Sequence, residues 1–491
     1  MMQRRGSPHG ESTTAVSYDG IAIAPPLASR WVSRVQTRFG LPAPNASAPG
    51  LFAGVRWTIP FVAFLAYIFA ITTYRLPIGS VAIIAGLAGL ALQSEPRRFP
   101  ALLVWFAAFI LWCAVGYVSS PYPQRTWDGL VGLVKLWAIV LVGVNAFRSR
   151  SHIRVFTVFF LACFALYPVR GAFENYFLYR YTVFGRAVWS RAFENPNDLA
   201  AFALLQLAMV AALLSLERRW WVQRCAQIGL VLLPLLILMT QSRGGFIALA
   251  LFTLCCVVGQ WRHLRTLLDR TRRMRLIGMS LALIAVVSFF APDGVWTRVA
   301  GLKHLTNTDQ LDEVDREGSA RQRWEIWRVA AKIIREHPVS GVGVSAYPLA
   351  HAVYARGEEF EPTAAGERDT HSTVLNLLGE TGVPGLIFFL GVIMSVVVPA
   401  ERVRRECKRR APQLAMPLSF LEIGLLAFFA AGIFGSFAYL AFLYIHLVLL
   451  FVTADLTRRE LASRRNVPAS RVPWSVPRFS PTPTGEPVRQ R

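Results

Sequence analysis

Twelve runs of apolar residues punctuate the chain, near 57–73, 78–94, 100–118, 128–147, 155–169, 197–215, 225–241, 244–260, 276–291, 383–400, 415–435 and 438–454. As helices, such runs match the length needed to span about 30 Å of hydrocarbon. No water is available there, so each run must satisfy its own backbone N–H and C=O groups, and helices do so. The expected fold is therefore all-α and polytopic, with about twelve spans and both termini on one side. Composition agrees, with 54% hydrophobic residues and a mean hydropathy of +0.42.

The 491 residues carry a formal net charge of +23. In a soluble protein that balance would suggest nucleic acid. Here the cations fall in alternate connections: Arg97 and Arg98; Arg148, Arg150 and Arg154; Arg218, Arg219 and Arg224; the runs 262–275 and 402–410; and the tail beyond Arg458. That alternation is the positive-inside signature, which makes this face cytoplasmic. It implies a multi-pass membrane protein in contact with anionic lipid headgroups on that face, and no nucleic-acid partner. The expected division is a cytoplasmic tail over 1–50, nine spans over 51–291, a large outer loop over 292–372, three spans over 373–455 and a basic tail over 456–491. Five of the six cysteines lie in apolar runs and Cys407 lies among basic residues, so neither a disulfide nor a zinc site is expected.

The polar residues of interest gather on the outer face. His371 stands where the large loop returns to the membrane, ahead of a short apolar helix (374–378) that Gly382, Pro384 and Gly385 must interrupt. Asp369 is its acidic neighbour, and the pair is too sparse to define a metal box. Thr240-Gln-Ser-Arg-Gly-Gly245 forms a tight turn between two spans. Its Arg243 is a cation on the disfavoured side, suited either to snorkelling or to binding an anion. The first outer loop carries Arg170, Arg180, Arg186 and Arg191, and ends in Phe193-Glu-Asn-Pro-Asn-Asp-Leu199. There Asn195 or Asn197 can cap the next span with Pro196 in its first turn, and substrate contact is an added role.

Within the large loop, the period predicts an amphipathic helix over 319–336. Trp324, Trp327, Ala331 and Ile334 form one stripe, and Arg321 is within reach of Glu325 one turn on. The connector 337–345 is rich in turn residues and is not a phosphate loop, since no strand precedes it. The charged segment 355–368 reads as a flap over the site.

Chemically, arginines hold phosphate bidentately. Imidazole accepts a proton near neutral pH. Together they suit displacement of a pyrophosphate from an anomeric carbon by a hydroxyl, with inversion. No Gly-x-Ser-x-Gly elbow and no Walker sequence occur, which argues against a serine hydrolase or an ATP-driven pump. A polysaccharide transporter is the rival of another class. It would call for charged or broken helices at mid-membrane.

Four segments in order, Gln241–Gly245, Ser319–Trp327, Pro338–Gly343 and His371–Gly382, resemble the O-antigen ligase superfamily of bacterial membrane glycan ligases and polymerases, over about Glu194 to the last span. The resemblance implies a GT-C-type, metal-independent glycosyltransferase without a cofactor. Its donor would be a glycan on undecaprenyl pyrophosphate, and its acceptor lipid A-core or a growing polysaccharide, with protein as a further alternative. It implies catalytic roles for Arg243, Arg321 and His371, with Arg323 a close competitor of Arg321. Arg186, Arg191, Arg323, Asn195, Asn197 and Asp369 are then candidates for holding substrate. Ser372 stands where the family commonly has asparagine, which leaves the second member of that pair without a counterpart.

Overall fold

A computed structural model describes residues 50–189, 193–267, 319–356, 360 and 362–465. Thirteen helices make up nearly all of its regular structure: α1 (Ile59–Thr73), α2 (Gly79–Leu92), α3 (Ala101–Ser119), α4 (Pro123–Ala146), α5 (Arg150–Leu178), α6 (Pro196–Leu216), α7 (Trp220–Met239), α8 (Arg243–Leu267), α9 (Ser319–Glu336), α10 (Tyr347–Tyr354), α11 (Thr373–Arg410), α12 (Pro412–Ala431) and α13 (Ala441–Arg465). Among the described residues there is no strand beyond isolated bridges, Val183 with Arg186 and Trp189 with Phe193. Eight of these helices are long and apolar enough to cross a membrane, and α1, α2 and the Arg243–Gly259 part of α8 are shorter apolar helices. The remaining expected span, 276–291, lies outside the described residues, as do most of 1–50 and all of 466–491.

The bundle is built around α6, whose residues are buried along almost its whole length. Alanines make this possible, because a small side chain lets a neighbouring backbone approach closely in a membrane helix pair. Gly424 of α12 lies directly against Ala208 of α6. Aromatic rings fill the gaps, with Phe202 stacked on Phe442 at 3.6 Å between centroids and Phe164 edge-on to Phe202 at 4.8 Å. On the other flank α3 packs on α11, and α1 pairs with α2.

Helices α5, α11 and α13 outrun their expected spans, α13 reaching Arg465 within the expected basic tail. The fifth run continues past 169 to Leu178, because Pro168 sits in a π-helical turn (Ala165–Val169) and a second such turn follows at Glu174–Leu178. A π turn shifts the hydrogen-bond ladder by one residue, so the proline that ordinarily ends a helix only distorts this one. The basic run 402–410, expected in a loop, is the last part of α11.

The expected break at Gly382 is present, at φ 67° and ψ −173°. Breaking α11 there orphans carbonyls, and Pro384 has no N–H to offer Glu380. The connector 337–345 supplies the missing donors. Val342 N–H donates to Gly379 O (2.9 Å) and Gly343 N–H to Glu380 O (3.0 Å), while Val383 N–H donates to Pro338 O (2.9 Å). Trp112 Nε1 donates to Thr381 O at 2.8 Å. A Cβ at Gly382 would run into Val339 O, so this position requires glycine for space as well as for its positive φ.

Candidate active site

α9 carries the loop that presents His371. Its buried stripe is Ile326, Val329, Ala330 and Ile333, packed on Val342, Tyr347 and Ala350. The expected stripe is therefore wrong by a rotation: Trp324 is 48% exposed, and Ala331 and Ile334 are only half-buried. Aliphatic residues at i, i+3, i+4 and i+7 made the tighter contact with α10. Trp327 points to the loop instead, donating its Nε1–H to Thr370 O at 2.9 Å. Thr370 is fully buried and bonds to Ser436 Oγ at 2.9 Å, and Thr373 Oγ1 donates to Gly435 O at 2.7 Å. The two residues flanking His371 and Ser372 are thus tied to the α12–α13 turn.

His371 itself adopts a left-handed φ of 50°. A non-glycine residue held there stores about 1–3 kcal/mol, offset by surrounding contacts such as those of Thr370 and Thr373. Its Nδ1 lies 3.7 Å from Asp369 Oδ2, beyond hydrogen-bond reach but well within electrostatic range, and its side chain is 30% exposed. Burial lowers the pKa of the imidazole, Asp369 opposes that shift, and Arg323, Arg368 and Arg186 add to it. The neutral form is therefore favoured, as a proton acceptor requires.

Arg323 shares a face of α9 with Trp327, four residues on. Arg321 lies about 200° further round the helix and is exposed. Glu325, the partner expected for Arg321, receives Arg328 Nη1 at 3.0 Å. Of the two arginines, Arg323 is the one whose charge acts on His371.

Arg186 reaches the site from the loop after α5. Its Nε donates to Thr240 O (2.8 Å) and its Nη2 to Asn197 Oδ1 (2.9 Å). Asn197 Oδ1 also accepts from Ser242 Oγ (2.8 Å), and Asn195 Oδ1 caps α6 by accepting Asn197 N–H (2.9 Å). Pro196 takes the first helical position. The Asn-Pro-Asn segment is a cap, as expected, and a junction to the 240–245 turn. That turn is also pinned by Gln241, at φ 50°, donating Nε2–H to Gly185 O at 3.0 Å.

Arg243 is the first residue of α8, half-buried, and Gly244 packs on Ala431 and Phe434 at the same α12–α13 turn that anchors His371. Arg191 lies outside the described residues. Arg368, which acts on His371, and Ser242, which joins the two loops, were not singled out from the sequence. Arg368 belongs to the charged segment 355–368, and its place immediately before Asp369 is its one signal in the sequence.

Residues 228–390 match the family model described as O-antigen ligase. Over that segment the chain is similar to the O-antigen ligase superfamily. The ligase segment contains Arg243, Arg321, Arg323, Asp369 and His371, and is narrower than the stretch from Glu194 to the last span expected from the resemblance. Arg186, Asn195 and Asn197 lie outside it and reach it through Thr240 and Ser242. No curated protein matches the chain.

Proposed function

We propose that this protein is a glycan ligase that moves a glycan from undecaprenyl pyrophosphate to an acceptor hydroxyl on the periplasmic side of the inner membrane, with lipid A-core as the acceptor. The observation that carries the reading is His371, held toward its neutral form beside Asp369 in the field of Arg323, Arg368 and Arg186, within a ligase-family segment.

In this mechanism the acceptor O–H gives its proton to His371 Nε2 as the oxygen attacks the anomeric carbon. The bond from that carbon to the pyrophosphate oxygen breaks, the pyrophosphate leaves with the electron pair, and the configuration inverts. Arg186 and Arg323 hold the pyrophosphate, each charge-assisted hydrogen bond contributing about 1.5–3 kcal/mol. Arg243 reaches the same leaving group from the start of α8, and Arg321 guides the donor from the exposed face of α9. Asp369 stabilises the imidazolium once it forms.

The test is a purified-protein assay with a lipid-pyrophosphate glycan and three acceptors: lipid A-core, a second glycan on the same carrier, and a peptide. Transfer to the first is expected. Transfer to the second alone would make the protein a polymerase, and to the third alone a protein glycan ligase. Undiminished transfer after replacing Arg243 and His371 together by alanine would remove the catalytic assignment.

A further inference from the structure

Lys135 is the thirteenth residue of the 24-residue helix α4, halfway along a segment apolar enough to span the membrane. A lysine at that depth costs about 2.5–3.5 kcal/mol on insertion scales. It forms no ion pair or hydrogen bond among the described residues. It lines a cavity of about 480 Å³ together with Arg125, Asp128, Gly132, Ser345 and Tyr439.

Arg125 and Lys135 are ten residues apart, about 15 Å along the helix, so the cavity runs from the end of the bundle that bears His371 down to mid-span. Its lining holds two cations against one carboxylate. Arg125, Asp128 and Lys135 are exposed, so the cleft opens at the surface of α4. The Tyr439 hydroxyl is buried beside the Glu380 carboxyl and closes the inner wall of the cleft. A Cβ at Gly132 would meet nothing within 4 Å, so the helix surface there fronts open space. Apart from Ser345, the lining lies outside the matched ligase segment.

We propose that this cleft binds the headgroup of a phosphoglycolipid that enters sideways from the bilayer. Phosphate answers the unpaired Lys135 and Arg125. Sugar hydroxyls both donate and accept, which suits Asp128 and Ser345 together. The hydrocarbon tail stays in the lipid beside α4. The site needs no transfer chemistry, and its ligand comes from either of two sources, a phosphorylated acceptor lipid or an isoprenoid-linked donor.

Binding is measured on the full chain in neutral phosphatidylcholine nanodiscs without a second substrate. The probes are a diphosphorylated disaccharide acyl lipid, an isoprenoid pyrophosphate sugar, phosphatidylglycerol and inorganic phosphate. Saturable binding of one of the first two is expected, weakened at least tenfold both by Lys135→Met, which keeps the side chain's bulk, and by Gly132→Leu, which fills the open space. Which of the two probes responds names the source. Unchanged binding in both variants overturns the proposal, and so does equal binding of phosphatidylglycerol, which would mean that charge alone is read. A chain that binds but does not transfer leaves the cleft standing and counts against the ligase reading instead.

Discussion

The two ends of the bundle differ in how their arginines are held. At the end away from His371, guanidinium groups are locked to carboxylates, between distant segments in Arg98–Asp455 at 3.5 Å, Arg150–Glu460 at 2.8 Å and Arg404–Glu422, and locally in Arg219–Glu217 at 2.8 Å, Arg459–Asp455 at 2.9 Å and Arg404–Glu401. At the His371 end the ion pairs are local, Arg170 with Glu174 and Arg328 with Glu325, and Arg186 donates to the neutral oxygens of Thr240 and Asn197 while its charge is felt by an imidazole. A carboxylate partner spends an arginine's charge on the fold, whereas a carbonyl fixes the side chain and leaves its field for something else. Cation count alone does not distinguish a topology signal from a binding site; the acceptor does.

The comparison can be broken most sharply at its centre. His371→Ala should lower glycan transfer about 10²–10⁴-fold at unchanged thermal stability, since a positioned general base is worth that much. Loss of stability with equal loss of activity would reduce His371 to a structural residue. Next in size is Glu217→Ala at the locked end, which strands Arg219 where its side chain is 7% exposed. About 3–5 kcal/mol of stability should be lost, read by unfolding in detergent, while activity per folded molecule is retained. Trp327→Phe removes one hydrogen bond to Thr370, worth about 0.5–1.5 kcal/mol, and should speed amide exchange over 369–372 without moving the global transition.

The smallest effect concerns pH. Transfer requires neutral imidazole, and the His371 pKa is lowered by burial and by three arginines against the pull of Asp369. Activity should therefore hold through neutral pH and fall only as pH drops below the ordinary histidine range. Arg368→Gln removes a lowering charge and should move that acid limb upward, whereas Asp369→Asn removes the raising charge and should move it downward. Identical limbs in both variants would show that neither charge reaches His371.

Much of the scaffold was legible because its causes are local. The bounds of α9, the cap at Asn195 and the break at Gly382 each follow from residues within a few positions. The buried face of α9 is set by its aliphatic repeat and not by its two tryptophans, which dominate the helical pattern in the sequence. The preference for Arg323 over Arg321 depends on that rotation. The junction of Arg186, Asn197 and Ser242 joins segments 45–56 residues apart, and no single-chain pattern encodes it. Polar groups were expected only at the outer boundary, which overlooked Lys135, although one lysine in an apolar run was there to be seen.

The break in α11 has a mechanical meaning. Above Gly382 the short limb is stitched to the connector 337–345 and to Trp112, while below it the long limb runs down through the bundle to Arg410. Because Val383 N–H also bonds to Pro338 O, the connector grips α11 on both sides of the break, and the limb that follows His371 takes its direction from the connector and not from the long limb.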